Sequence, residues 1–156
     1  CAVLLVGLSS QALADCADPA APGVDWGRCY VAEQTLTRAS LTGANLREAR
    51  FNRSDLTGAD LSKADARRGK FMSANLAGAT LEGADLRETD FTLATLTGAR
   101  LAGADLRRSR LFRADLRGAD LTGALLDQTD LLKADLSGAA WVNGKRCGPG
   151  SLGQCN

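Results

Sequence analysis

Residues 114–138 read ADLRGADLTGALLDQTDLLKADLSG. A bulky apolar residue returns every fifth position, at Leu116, Leu121, Leu126, Leu131 and Leu136. Two positions before each stands a small residue: Ala114, Ala119, Ala124, Thr129 and Ala134. Followed outward, the beat runs unbroken from Ala39 to Trp141, and Leu fills 17 of the 21 central positions from Leu36 to Leu136. A fixed internal period is the signature of a repeat architecture.

A period of five matches neither the 3.6 of a helix nor the 2.0 of a strand. A long helix would smear the leucines around its surface, and Gly43, Gly58, Gly78 and their equivalents would weaken it. A chain that bends after every five residues sends the central residue and its small predecessor inward each time. The other three side chains face water.

The units Ala44-Asn45-Leu46, Ala59-Asp60-Leu61, Ala84-Asp85-Leu86, Ala104-Asp105-Leu106 and Ala134-Asp135-Leu136 resemble the A-D/N-L-x-x unit of the pentapeptide-repeat family. The resemblance covers about two thirds of the chain. It implies an all-β fold, a right-handed quadrilateral β-helix with four units per coil. About five coils are then expected, at roughly 4.8 Å each, giving a rod of about 25 Å. Under that implication Phe51, Phe71 and Phe91 stack as an internal column. Ala66, in the adjacent column and followed by Gly69, predicts a void or an inward shift of the wall.

The expected organisation is a remnant of a secretory signal peptide at 1–14, an N-terminal cap at 15–35, the β-helix at 36–141 and a C-terminal cap at 142–156. Val3 to Leu8 is a short apolar run, and Ala12-Leu13-Ala14 fits the small-x-small pattern before a cleavage site. A short buried strand, an N-terminal membrane anchor and a lipidated Cys1 are the alternatives. Trp26, Cys29 and Tyr30 belong to the N-cap, and Trp141 is expected to cover the last coil. Bare solenoid ends would expose core and strand edge.

Cys16, Cys29, Cys147 and Cys155 flank the repeats and none lies inside them. Four cysteines allow three connectivities. Cys16–Cys29 with Cys147–Cys155 is favoured, because the solenoid holds the two pairs apart. Disulfides fit an oxidising compartment such as the periplasm.

The chain carries 19 basic and 18 acidic residues and no histidine. A near-balanced charge argues against general nucleic-acid attraction and against polyanion mimicry. Some pentapeptide-repeat proteins bind DNA gyrase by resembling DNA. That alternative function fits the rod but not this charge balance. Neither a catalytic constellation nor a metal cluster is legible, so no enzymatic activity and no cofactor are expected.

The remaining expectation is an exported structural or protein-interaction scaffold. Its protein partner is unidentified, nucleic acid is not a partner, and no stable membrane span follows signal cleavage. Self-association through a face or a solenoid end is a further expectation. The partner-face candidates are Arg47, Arg67, Arg87 and Arg107, twenty residues apart, with the outward apolar pair Phe112 and Leu132.

Overall fold

The computed structural model describes residues 16–156. The signal-peptide expectation at 1–14 lies outside the described residues. Each repeat is a β-turn followed by one bridge residue, with no longer run of strand. Parallel bridges join residues twenty apart, from Asp25↔Asn45 through Asp65↔Asp85 to Asp120↔Ala140. A twenty-residue offset makes four five-residue units per coil. The sides are named here by their central residues: the Leu86 face (46, 66, 86, 106), the phenylalanine face (51, 71, 91, 111), the Leu96 face (56, 76, 96, 116) and the Leu101 face (61, 81, 101, 121).

The Leu56 unit shows why the motif has its form. A repeat has five backbone N–H groups, and buried ones need partners. Leu56 N donates to Asn75 O at 2.7 Å and Gly58 N to Ala77 O at 2.9 Å, both toward the next coil. Asp60 N donates to Ala39 O of the preceding coil, and Ala59 N closes the turn on Leu56 O, each at 2.9 Å. The fifth N–H, on Thr57, donates to the Asp55 carboxylate at 3.0 Å. The Asp or Asn before each central leucine is therefore part of the turn, in the manner of an Asx-turn.

The turn's second inner residue has positive φ throughout, with Gly98 at 64° and Leu93 at 60°. Positive φ at that position is the mark of a type II turn and explains the glycines there.

The core is a column of leucines walled by alanines, with Leu46, Leu61, Leu86 and Leu106 fully buried. Burying each leucine contributes about 1.5–3 kcal/mol before ordering costs. Phe51 and Phe71 stack at 4.8 Å between ring centroids, and Phe71 and Phe91 at 5.1 Å. Near Ala66 the wall at Gly69 packs closely against a ring. A Cβ added at Gly69 would lie 2.9 Å from Phe71 Cε2 and 2.9 Å from Ala66 O. The glycine admits the edge of Phe71, and Thr89 Oγ1 donates to Ala66 O at 2.9 Å from the next coil.

Coil pairing begins at Asp25, before the five-residue beat is legible in the residue types. Trp26 and Val31 stand at central positions and are buried, while Tyr30 is exposed. Trp26 contacts Phe51 at 6.3 Å. Cys29 takes the small-residue position of its unit and is bonded to Cys16, with Cα atoms 5.5 Å apart.

At the other end the chain turns back. Asp135↔Leu152 and Ala140↔Arg146 are antiparallel bridges. Leu136 N donates to Ser151 O and Gly138 N to Cys147 O, so the tail satisfies donors that another coil would have met. Trp141 is partly buried against the core. The Cys147–Cys155 bond, with Cα atoms 4.9 Å apart, closes this tail.

Candidate functional site: the charged corner and the phenylalanine face

The side chains outside the core are unevenly shared among the four faces. On the Leu86 face Arg67, Arg87 and Arg107 each lie two residues after an Asp, across the central residue, while Arg47 follows Asn45. Arg67 grips Asp65 with both ends of its guanidinium, Nε to Oδ1 at 2.8 Å and Nη2 to Oδ2 at 2.6 Å. Arg87 grips Asp85 in the same way, and Arg107 grips Asp105. The same guanidiniums reach the next coil: Arg67 Nε lies 3.3 Å from Asp85 and Arg87 Nε 3.6 Å from Asp105. Arg47 joins the row more loosely, 3.9 Å from Asp65.

The forks on Asp65 and Asp105 hold these two carboxylates below the ordinary value of 3.8. For Asp65 the leading cause is the side-chain hydrogen bond from Arg67, and for Asp105 that from Arg107, with desolvation opposing in both. Asp115 is lowered in the same way by Arg117, and Asp55 by the Thr57 hydroxyl.

Two positions after the central residue, ion pairs also run from coil to coil. Arg28 lies 3.4 Å from Glu48, and Arg68 Nε lies 2.9 Å from Glu88. Arg108 meets the neutral Gln128 at 3.1 Å.

Around the corner, the phenylalanine face departs from the motif. Where Asp or Asn usually precedes the central residue, this column has Arg50, Lys70 and Arg110. These side chains cannot accept the turn N–H. At Met72 the loss is met by Asn52 Oδ1 of the preceding coil, which accepts the Met72 N–H at 3.2 Å. Asp90 stands between Lys70 and Arg110, 4.0 Å and 3.8 Å from them, and its side chain is only 9% exposed. Arg50 makes no ion pair among the described residues. Arg50, Lys70, Arg110, Arg68 and Arg108 line an open groove of about 540 Å³ along this corner, together with three acids.

Phe112 and Leu132 occupy successive coils of the phenylalanine face. Phe112 is half-buried under the Arg113 guanidinium, 5.2 Å from the ring centroid, and Leu132 is 60% exposed. The sequence-predicted arginines thus form one row, and the apolar pair lies on the next side. Sequence reading missed the row of Arg50, Lys70 and Arg110. Its signal was a cation in the Asp/Asn slot, read every twentieth residue.

Among the described residues, no group of three or more His, Cys, Asp or Glu is placed to hold a metal. No helix there is long and apolar enough to cross a membrane.

Twenty-residue coils, a leucine and phenylalanine core and one turn per side, many of them capped by Asp or Asn, define a pentapeptide-repeat solenoid. The family described as "Pentapeptide repeats" matches in eight copies over residues 36–71, 74–111 and 109–140, and the chain belongs to it. No curated protein matches the chain. Among solved structures, the chain is similar to HetL, a pentapeptide-repeat protein involved in heterocyst differentiation regulation from the cyanobacterium Nostoc sp. strain PCC 7120. The identity is 35%, over 80% of this chain and 62% of HetL, with a TM-score of 0.39. It is also similar to QnrB1, a plasmid-mediated fluoroquinolone resistance protein, at 19% identity over 75% of this chain and 64% of that one, with a TM-score of 0.52. The QnrB1 likeness is one of fold.

Proposed function

We propose that the protein is an exported, non-catalytic scaffold that binds another protein through the outer faces of a right-handed quadrilateral β-helix. About five coils and two disulfide-closed caps keep those faces rigid. The observation that carries this reading is the segregation of long side chains. Arg, Glu, Lys and exposed Leu crowd two adjacent sides, while the other two present mainly Gly, Thr, Ala and Ser at the turns. A preorganised surface binds with little ordering cost.

The paired cysteines support an oxidising compartment. A DNA-mimicking role is disfavoured, because Asp65, Asp85 and Asp105 of the Leu86 face are matched one for one by arginines and leave no anionic track there.

The test is fractionation of the producing cell with cross-linking of the tagged full chain. The reading expects an oxidised protein outside the cytoplasm, joined to a specific protein. A reduced cytoplasmic product that inhibits DNA supercoiling at stoichiometric amounts would overturn it.

A further inference from the structure

We propose that the phenylalanine face docks an amphipathic α-helix whose apolar stripe is edged by carboxylates. The inference rests on the scaffold reading and names the surface and the chemistry of the partner.

Exposed apolar residues are concentrated on this face. Tyr30, Met72, Leu93 and Leu132 all lie on it, while Leu125 belongs to the Leu86 column and Leu152 to the C-terminal tail beside Asp135. Among the described residues, the coils of the Leu96 and Leu101 faces expose no large hydrophobic side chain. Scattered apolar residues are ordinary on a surface, whereas four gathered on one side of four mark a contact area.

The cations of the same face are incompletely matched. Lys70 and Arg110 share one largely buried carboxylate, Asp90, and Arg50 has none. The arginines of the Leu86 face differ, since Arg67, Arg87 and Arg107 are each held in a two-pronged grip by an Asp. A partner's carboxylate meets less competition at Arg50, Lys70 and Arg110. A row of cations beside a row of apolar residues is complementary to a helix with acids along one edge of its apolar stripe.

The spacing agrees. Coils follow one another at about 4.8 Å. Residues three and four apart in an α-helix are separated by about 4.5 and 6.0 Å along the axis. A helix lying along the rod brings successive turns over successive coils for three or four coils. An extended strand repeats a side every ~6.6–6.8 Å and falls out of step at once. A phosphate backbone would use the cations alone and leave Leu93 and Leu132 in water.

The experiment uses the disulfide-intact full chain and a fluorescent helical peptide of about five turns. The peptide carries Leu at i, i+3, i+4 and i+7 spacing with Glu along one edge, and binding is read by anisotropy. A peptide of the same composition in scrambled order, a single-stranded oligodeoxynucleotide and anionic phospholipid vesicles are run beside it. Saturable binding of the patterned peptide alone is expected. Lys70→Glu, Arg110→Glu and Leu132→Ser should each weaken it about tenfold or more, while Lys63→Glu on the Leu101 face leaves it unchanged. Thermal melts confirm that each variant is folded, and Lys70→Gln, which removes charge without reversing it, should give an intermediate loss.

No binding, equal binding of the scrambled peptide, a stronger response to the oligonucleotide or vesicles, or equal loss with Lys63→Glu would overturn the proposal. If a cellular partner held by the wild-type chain is retained in full by Lys70→Glu and Leu132→Ser, the scaffold reading stands and this inference fails.

Discussion

The phenylalanine and Leu86 faces keep a side chain at a backbone position where the other two faces mostly use glycine. At the second inner residue of the turn, φ runs from 55° to 62° for Arg28, Glu33, Arg68, Leu93, Arg113 and the rest of these two columns. On the Leu96 and Leu101 faces the same position is Gly58, Gly78, Gly83, Gly98 and Gly103, with Arg38 and Lys63 as exceptions. The turn is the same on all four sides, so its geometry does not decide the residue. A non-glycine residue in the left-handed region costs about 1 kcal/mol or more. Coil-to-coil pairs such as Arg68–Glu88 and Arg53–Glu33 recover part of that cost. Leu93 makes no such pair, and its outward position is what a contact surface needs.

The largest effect should separate core from face within one column. Phe91→Ser removes a buried ring from the stack and should cost about 3–5 kcal/mol, with loss of a cooperative melt. Phe112→Ser, on an outward side chain, should leave the melt nearly unchanged. Equal effects would break the division between inward and outward positions.

Gly69→Ala comes next. Its Cβ meets Phe71 and the Ala66 carbonyl at 2.9 Å, so about 1–3 kcal/mol should be lost through overpacking. Ala66→Leu should also destabilise, because its added atoms enter the core beside the Phe71 ring packed at Gly69. Stabilisation by that leucine, read as a raised Tm, would show an unfilled void instead.

Gly98→Ala should cost about 1 kcal/mol, since nothing lies within 4 Å of the added Cβ and only the positive φ opposes it. Leu93→Gly should retain or slightly raise stability and weaken peptide binding. The pair sharpens the contrast between the two kinds of face, with denaturant midpoints and anisotropy as the readouts.

The smallest effect is in acid. Asp55, Asp65, Asp105 and Asp115 are held below 3.8 in the folded chain. A depressed folded value means that these groups add stability above the unfolded value. That contribution is lost as pH falls from 3.8 through the lowered folded values. The Tm should therefore hold steady from neutral pH down to about 5 and drop below about 4. Asp55→Asn keeps an acceptor for the Thr57 N–H and should blunt the drop. A Tm that rises in acid would contradict the sign.

Much of the scaffold was legible because its period is carried by side-chain size. Leu or Phe at every fifth position assigned inside and outside, and every twentieth residue assigned the phenylalanine column. The pairing of Cys16 with Cys29 and of Cys147 with Cys155 followed from their places at opposite ends. The first coils were harder to read, since Trp26, Val31 and Cys29 fill their positions with less usual residues. A void or an inward shift at Ala66 was legible as an expectation, but the Phe71 edge that packs against Gly69 was not, because its atoms come from the neighbouring side.

The surface was the least legible part. Sequence reading only turned the Asp before each central residue toward water, whereas Asp55 and its equivalents cap the turn N–H groups. It also picked Arg67, Arg87 and Arg107 by spacing alone. Spacing does not reveal that each guanidinium is already held by its own Asp.

The most direct measurement places a photo-cross-linking side chain at Leu93 or Leu132, and for comparison at Ala77 or Thr97 on the Leu96 face, in the cell that makes the protein. Adducts with one protein partner should form from Leu93 and Leu132 and be absent from Ala77 and Thr97. Adducts from Ala77 and Thr97, with none from the phenylalanine face, would contradict the assignment.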